Sequence, residues 1–411
     1  MNKLLLCLLP LLVFFSCSDD DAGYETVKIA SAVTLSVEAL RTSSVVLPPQ
    51  EINESGKIYI KENLILVNDK NKGIHIINNT NPASPEKMAF LKVLGSNDME
   101  VKGDFLYVDS YMDLVVFNIS NLNDIKEVER VKDVFPYYTP YPEEASYINY
   151  ETYPQDGTSV IIGWDIKEER RKINNDPIYY SVDNAAFSES LAPSQTGQGG
   201  SLARFKIVGD YLYAVDYSSI NIFNISNLKA PNVQEPVYAG FDIETLFNRG
   251  DYLFLGSMTG MFIYNIENPS LPTFVSQFRH AKSCDPVVVD GDYAFVTLRS
   301  GNLCGDTQSS LEVIDISNIE NPVGKASYTL EEPYGLGVKE NRLFVCDGDA
   351  GLKVFDKTDV LDMKLVQTHT VKKTYDVIPL ANSLVMIGGE VLYQYKYKEN
   401  GLELLSELTL R

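Results

Sequence analysis

Leu114–Asn121 reads LVVFNISN, and Ile220–Asn227 reads INIFNISN. Looser relatives recur along the chain: Ile74–Asn81 (IHIINNTN), Met261–Asn268 (MFIYNIEN), Leu311–Asn318 (LEVIDISN), Leu352–Asp359 (LKVFDKTD) and a worn copy at Leu392–Glu399 (LYQYKYKE). Each is an alternating apolar run that ends on a polar residue, in turn Asn78, Asn118, Asn224, Asn265, Asp315, Asp356 and Lys396. Subtracting successive positions gives gaps of 40, 106, 41, 50, 41 and 40. Four of the six agree within one residue, which is too regular for chance. A period near forty signals a propeller or another repeat array.

The rest of the unit sharpens this. Upstream of most octapeptides lies a second run: FLYVD from Phe105, YLYAVD from Tyr211, YLFLG from Tyr252, YAFVT from Tyr293 and RLFVCD from Arg342. A Gly-Asp pair precedes four of them, at Gly103, Gly209, Gly250 and Gly291. Aromatic and β-branched residues in period-two alternation, bounded by Gly-Asp, predict strand, turn, strand. A short run before each turn and another after each octapeptide complete four strands per unit. The expected fold is therefore all-β: a seven-bladed β-propeller of four-stranded antiparallel blades over residues 51–411. Stacking neighbours supplies the core that one blade cannot form alone.

The gap of 106 carries a long insertion, about residues 132–200. It holds eight of the 25 tyrosines, between Tyr137 and Tyr180, and the only tryptophan, Trp164. SVIIGWDI from Ser159 has strand character but no accompanying Gly-Asp-aromatic unit, so the insertion is expected to be one elaborated blade plus a cap loop. QTGQGGS, from Gln195 to Ser201, is expected to be its flexible exit. Residues 17–50 form an acidic tether or spacer, strand-like at VTLSV from Val33.

The repeats also resemble a known family. Leu311-Glu-Val-Ile-Asp315 and Leu114-Val-Val-Phe-Asn118 are similar to the LVIVD repeat, and the chain from about residue 50 to 411 resembles the LVIVD-repeat lipoproteins of Bacteroidetes-type bacteria. The resemblance implies the propeller fold and little about activity. The N-terminus agrees with it. Lys3 and LLLCLLPLLVFF make residues 1–16 a signal peptide, too short to span a membrane. Phe-Phe-Ser-Cys17 looks like a lipobox, with Cys17 as the lipidated residue. The Ser18-Asp-Asp-Asp21 run resembles a surface-export tag. The expected location is the outer membrane, exposed at the cell surface, with the membrane engaged through the lipid anchor only.

Charge excludes one class of partner. The chain carries 35 Lys and Arg against 56 Asp and Glu, a net charge of −21, and removing Lys3 with the signal gives −22. No basic stripe serves nucleic acid. An export signal implies an oxidising compartment. Cys284 and Cys304 are expected to pair and fasten the loop that lengthens one gap to 50, contributing roughly 3 kcal/mol. Cys346, in an apolar strand, is expected to be a buried free thiol. No CxxC or Cys/His spacing supports zinc, and Asp347-Gly-Asp-Ala-Gly351 lacks the other ligands of a calcium loop. No metal and no cofactor are expected.

Candidate site residues come from aligning the units. Positions at the start of the innermost strands should converge at one mouth of the central channel. Repeats keep structural positions alike, yet these differ and are rich in charge: Lys57, Asp98, Arg204, Glu244, Asp285, Tyr334 and Asp376. Two functions fit them. One is a binding or interaction module for a glycan, a peptide or a partner protein, favoured by the tyrosine-rich insertion. The other is a hydrolase or lyase using the channel carboxylates Asp98, Glu244, Asp285 and Asp376. No catalytic motif accompanies the three histidines, so the binding module is preferred and no catalytic residue is assigned.

Overall fold

The computed structural model describes residues 24–142, 144–155, 157–172, 198–279, 286–300, 308–399 and 401–411. The segment expected to be a signal peptide, Cys17, His280, Cys284, Asp285 and Cys304 lie outside them. The chain divides into two units, residues 24–36 with 139–172, and residues 37–138 with 198–411.

The larger unit is propeller-like: a succession of antiparallel sheets, most of four strands taken in chain order. A representative sheet runs Ile243–Arg249, Tyr252–Ser257, Gly260–Asn265, Thr273–Arg279. The Gly-Asp pair makes the first hairpin because its turn requires positive φ; Gly209 and Gly250 have φ of 56° and 55°. Where glycine is missing, Glu62 and Glu340 take the same left-handed conformation, each followed by asparagine. The octapeptide forms the third strand. Its apolar residues are buried on both faces because neighbouring sheets cover both. Its closing Asn or Asp turns the chain: Asn118, Asn224 and Asp315 each accept the backbone N–H two residues on.

Fourth strands lie at the rim, and Lys126–Val131 is charged where it meets water, with Lys126, Glu127 and Glu129 exposed. Such charge discourages edge-to-edge pairing. Second strands carry a large aromatic core side chain at one repeated place. Tyr107, Tyr213, Phe254, Phe295 and Phe344 occupy the same place in successive units, each at most 1% exposed. Burial of a ring of this size stabilises by about 1.5–3 kcal/mol. The two tyrosines place their hydroxyls on the next sheet, donating to Leu228 and Pro269 carbonyls at 2.8 Å each.

First strands of successive sheets touch in order: Ser55–Lys61, Met99–Lys102, Phe205–Val208, Ile243–Arg249, Val287–Asp290, Leu336–Lys339 and Thr374–Pro379, the last returning to the first. The return junction is tied by a reciprocal amide pair, Asn79 with Gln394 at 3.1 and 2.7 Å. The Ile52 N–H donates to the Leu410 carbonyl at 3.1 Å. A short helix, Val37–Arg41, precedes the first sheet. Its Arg41 grips the buried carboxylate of Asp113 with two bonds, 2.8 and 2.9 Å.

The smaller unit is a three-stranded sheet. Tyr24–Ser36 pairs antiparallel with Ser159–Lys172 along its whole length, Tyr24 opposite Lys172 and Ser36 opposite Ser159. Tyr147–Asn149 adds a short parallel strand on the other side. Trp164 donates its indole N–H to the Pro140 carbonyl at 2.7 Å and packs against Tyr153. Part of the expected spacer is thus a 13-residue strand. The SVIIGWDI run is its partner across more than a hundred residues.

Candidate functional site

Inner strands bring several sequence-predicted residues together, but in the packing rather than in a solvated mouth. The Lys57 ammonium meets the Asp98 carboxylate at 2.7 Å, both side chains 1% exposed. The same Asp98 oxygen accepts the backbone N–H groups of Arg204 and Phe205. Two residues along, Glu100 meets Lys206 at 3.1 Å in an equally buried pair. Burial pushes Glu100 up and Lys206 down toward their neutral forms, and their mutual attraction opposes it. These pairs stitch three neighbouring sheets. Glu244 is also buried, and Asp376 is 0% exposed. Arg204 is half-buried, and its guanidinium donates to the Val215 carbonyl at 3.2 Å. Only Arg204 and Tyr334 keep partial exposure; Asp285 lies outside the described residues.

The reason is a segment that sequence reading took for a flexible exit. Gln198–Gly199 pairs with Ser55–Lys61 on the side away from its hairpin partner, facing the space that the inner strands enclose. Gly200, Ser201, Leu202 and Ala203 follow, all buried. Ser201 donates its N–H to Asp376 at 3.1 Å, and its hydroxyl accepts the Leu336 N–H at 2.6 Å. The Ala203 carbonyl accepts the Leu246 N–H at 2.9 Å. Residues 198–204 therefore plug the centre, and the charged inner-strand starts hold the plug.

A second repeated device was present in the sequence but not recognised. The aspartate that ends the second strand caps the loop before the inner strand. Asp69 accepts the N–H groups of Asn53 and Glu54, Asp109 those of Asn97 and Asp98, and Asp347 those of Glu331 and Glu332. Early in the third strand sits a side chain that faces the acid. His75 faces Asp69 at 3.6 Å, and Lys353 bonds Asp347. The equivalent of these partners beside Asp109 is Val115. There burial pushes the Asp109 carboxyl up to about 6, against the pull of its two N–H donors and of the Arg204 charge. Asp347, considered for calcium, is thus engaged by protein groups.

Above the plug lies a cleft of about 400 Å³ whose lining includes Leu202 of the plug itself. Tyr334 and Tyr375, adjacent positions in neighbouring units, stand with ring centroids 5.4 Å apart. The Arg299 guanidinium lies 4.2 Å from the Tyr334 centroid, and the Lys70 ammonium 5.7 Å from that of Tyr375. A row of cation, ring, ring and cation crosses four sheets. Such contacts hold long side chains in place. The Tyr334 hydroxyl donates to Glu332 at 2.9 Å, and Lys70 pairs with Glu54 at 2.7 Å. Lys373 and Glu390 complete the charged lining. Of this cleft the alignment predicted Tyr334; Arg299 and Lys70 lie at strand ends and carried no repeat signal. A larger groove, about 890 Å³, lies by the turns at Glu340 and Asn382, but its Arg342 is spent on the carbonyls of Lys398 and Gly401.

Three stretches of the chain, residues 95–133, 199–238 and 281–330, match the LVIVD repeat. No curated protein matches the sequence. Among solved structures, the chain is similar to the periplasmic gluconolactonase PpgL of Pseudomonas aeruginosa, with 10% identity over 87% of this chain and 96% of that one, TM-score 0.55. It is similar to Hsv2 of Kluyveromyces lactis, with 10% identity over 87% and 100%, TM-score 0.50. It is also similar to the computationally designed Ika8 protein, with 9% identity over 88% and 89%, TM-score 0.51. At these identities the likeness shows the fold alone.

Proposed function

We propose that this protein is a lipid-anchored binding module of the outer membrane, displayed at the cell surface, whose sheets close as a seven-bladed propeller. Its ligand, a glycan, peptide or partner protein, is held at the cleft above the plug. The observation that carries the reading is the fate of the acids. A hydrolase at the channel needs at least one carboxylate open to substrate. Asp98 is spent on Lys57 and three backbone N–H groups, two of them from the strand it holds. Asp376 lies buried against Ser201 and Gly200. The cleft instead presents a tyrosine pair ringed by charges of both signs, with Glu54 bound to Lys70 and Glu390 to Arg411, a lining that suits recognition rather than acid–base work.

The repeats match the LVIVD repeat, and Cys17 in its lipobox-like setting would carry the anchor. The bridge between Cys284 and Cys304 belongs to the same exported setting. Two experiments test the reading. Palmitate labelling of cells should mark the wild type and not Cys17→Ala; equal labelling removes the anchor. Cross-linking and array screening of the full chain beside Tyr334→Ala with Tyr375→Ala should lose ligands that the wild type retains. Retention of every ligand by that double variant places the site elsewhere.

A further inference from the structure

The rim between the third and fourth sheets of the larger unit carries a second surface, away from the cleft. Fourth strands elsewhere are unbroken, as in Lys126–Val131, Thr273–Arg279 and Lys364–His369. That of the third sheet is split into Asn232–Val233 and Val237–Tyr238, with Pro236, which has no N–H to give a ladder, between the pieces. Past the break Tyr238 is 60% and Phe241 65% exposed, their ring centroids 5.8 Å apart. Phe274, near the start of the fourth sheet's rim strand, is 53% exposed and lies 5.7 Å from the Tyr264 ring. Tyr264 joins the two groups: burial, and after it Tyr238, raises the pKa of its hydroxyl. Rings of this kind carry about 150–250 Å² each, so three of them more than half bare make a patch on the order of 300 Å², a size that marks interaction sites. The tip bearing Phe241 is fixed: the Ala239 N–H donates to the Ser218 carbonyl at 2.8 Å, and the Ile243 N–H to the Tyr217 carbonyl at 3.1 Å. A tip already ordered loses little freedom on binding.

Charge chooses the occupant. From Ala230 to Phe274 the chain holds five acids (Glu235, Asp242, Glu244, Asp251 and Glu267) and one cation, Arg249, which donates to the Gly291 carbonyl. Glu235, Asp251 and Glu267 are exposed and pair with no cation among the described residues. Of the nearest cations in sequence, Lys229 lies over the Phe105 ring at 5.9 Å, and Arg279 ends the rim strand at the far end from Phe274. A second copy would bring the same −21 and be repelled. We propose that this patch docks a basic, extended peptide segment of a partner protein. Its arginine and lysine stems lie on Tyr238, Phe241 and Phe274, and their charges face Glu235 and Glu267.

Fluorescence anisotropy on the full chain in detergent tests this, with a short labelled peptide of alternating arginine and leucine beside its twin with glutamate for arginine. The basic peptide should bind at least about tenfold more tightly than the twin, in a salt-sensitive manner. Tyr238→Ala combined with Phe241→Ala should weaken it by at least about tenfold. Glu235→Gln and Glu267→Gln should each weaken it by about two- to fivefold. Glu399→Gln, at an exposed acid of the last sheet, should change nothing; a loss equal to that in Glu235→Gln means general attraction to an acidic chain and overturns the site. Equal binding of the two peptides, or full binding by the double aromatic variant, overturns it as well. A dimer in sedimentation that Phe241→Ala disperses assigns the patch to a second copy instead. Tyr334→Ala with Tyr375→Ala should leave the peptide bound, so failure of the cleft and failure of this surface are read separately. Tyr238 and Phe241 lie at the surface, and melting curves of their variants should superimpose on wild type.

Discussion

The Lys57 ammonium and the Asp98 carboxylate meet 2.7 Å apart with almost no access to water. Removing one partner of such a pair leaves the other charge stranded, at a typical cost of 3–5 kcal/mol. Lys57→Met should therefore lower stability by about 3 kcal/mol. Asp98→Asn should also destabilise, because one amide oxygen replaces two acceptors. Combined, the two changes should cost at least about 1 kcal/mol less than their sum, since the double variant buries no charge. Urea midpoints followed by circular dichroism give the cycle. Strict additivity would show that the two groups do not sense each other.

Asp109 makes the opposite contribution. Its folded pKa, about 6, lies above the ordinary 3.8. The folded state therefore binds the proton more tightly than the unfolded chain. Stability from this group is full below pH 3.8, is lost as pH rises through 6, and is lowest at neutral pH. Asp109→Asn keeps an acceptor for the N–H groups of Asn97 and Asp98 and removes the charge. It should stabilise the protein at pH 7.5 by up to about 3 kcal/mol, a gain that falls by about half at pH 5. Asp113 runs the other way: burial raises it, but Arg41 and its other donors outweigh burial and hold it low, so its contribution is lost only in acid. Melting temperatures of wild type and variant across pH decide the matter. A pH-independent difference would refute the buried charge.

Cys346 is fully buried, and burial, reinforced by Asp376 and Asp347, pushes its thiol well above the ordinary value. A thiol reacts as the thiolate. Iodoacetamide at pH 8 should leave Cys346 unlabelled in the native protein and label it fully in urea, as read by peptide mass spectrometry. Labelling under native conditions would mean that the Arg342–Cys346 strand opens readily.

The repeat was legible because each unit uses one chemistry at one spacing. Positive φ at the turn calls for Gly-Asp, and burial on both faces calls for the apolar octapeptide. Pairing between distant segments leaves no such trace. Val33–Leu35 and Ser159–Ile162 each have strand character, but nothing local says that they pair. The inner-strand charges were found, yet their roles were not. A buried Lys57–Asp98 pair and a solvated channel mouth show the same variation from unit to unit. QTGQGGS was misleading for a similar reason. Small residues mark a flexible linker, but they also mark a chain threaded where larger side chains do not fit.

Gly200 tests that last distinction. A Cβ at this position would lie 2.0–2.2 Å from the Asp376 carboxylate, far inside contact distance. The carboxylate cannot retreat easily, since it accepts the N–H groups of Ser201 and Val377. Gly200→Ala should therefore destabilise the propeller unit by about 1–3 kcal/mol, the usual cost of overpacking. In a flexible linker the same change would be neutral or slightly stabilising, because alanine restricts the unfolded chain. Ser201→Ala gives an independent view: it strands the buried Leu336 N–H, whose acceptor lies at 2.6 Å, at a cost of about 1–3 kcal/mol. Hydrogen exchange should show the effect locally, with Leu336 and the inner strand from Thr374 losing protection before the outer strands. If both variants melt like wild type, and Leu336 exchanges as fast in the parent as in Ser201→Ala, the segment does not plug the centre in solution.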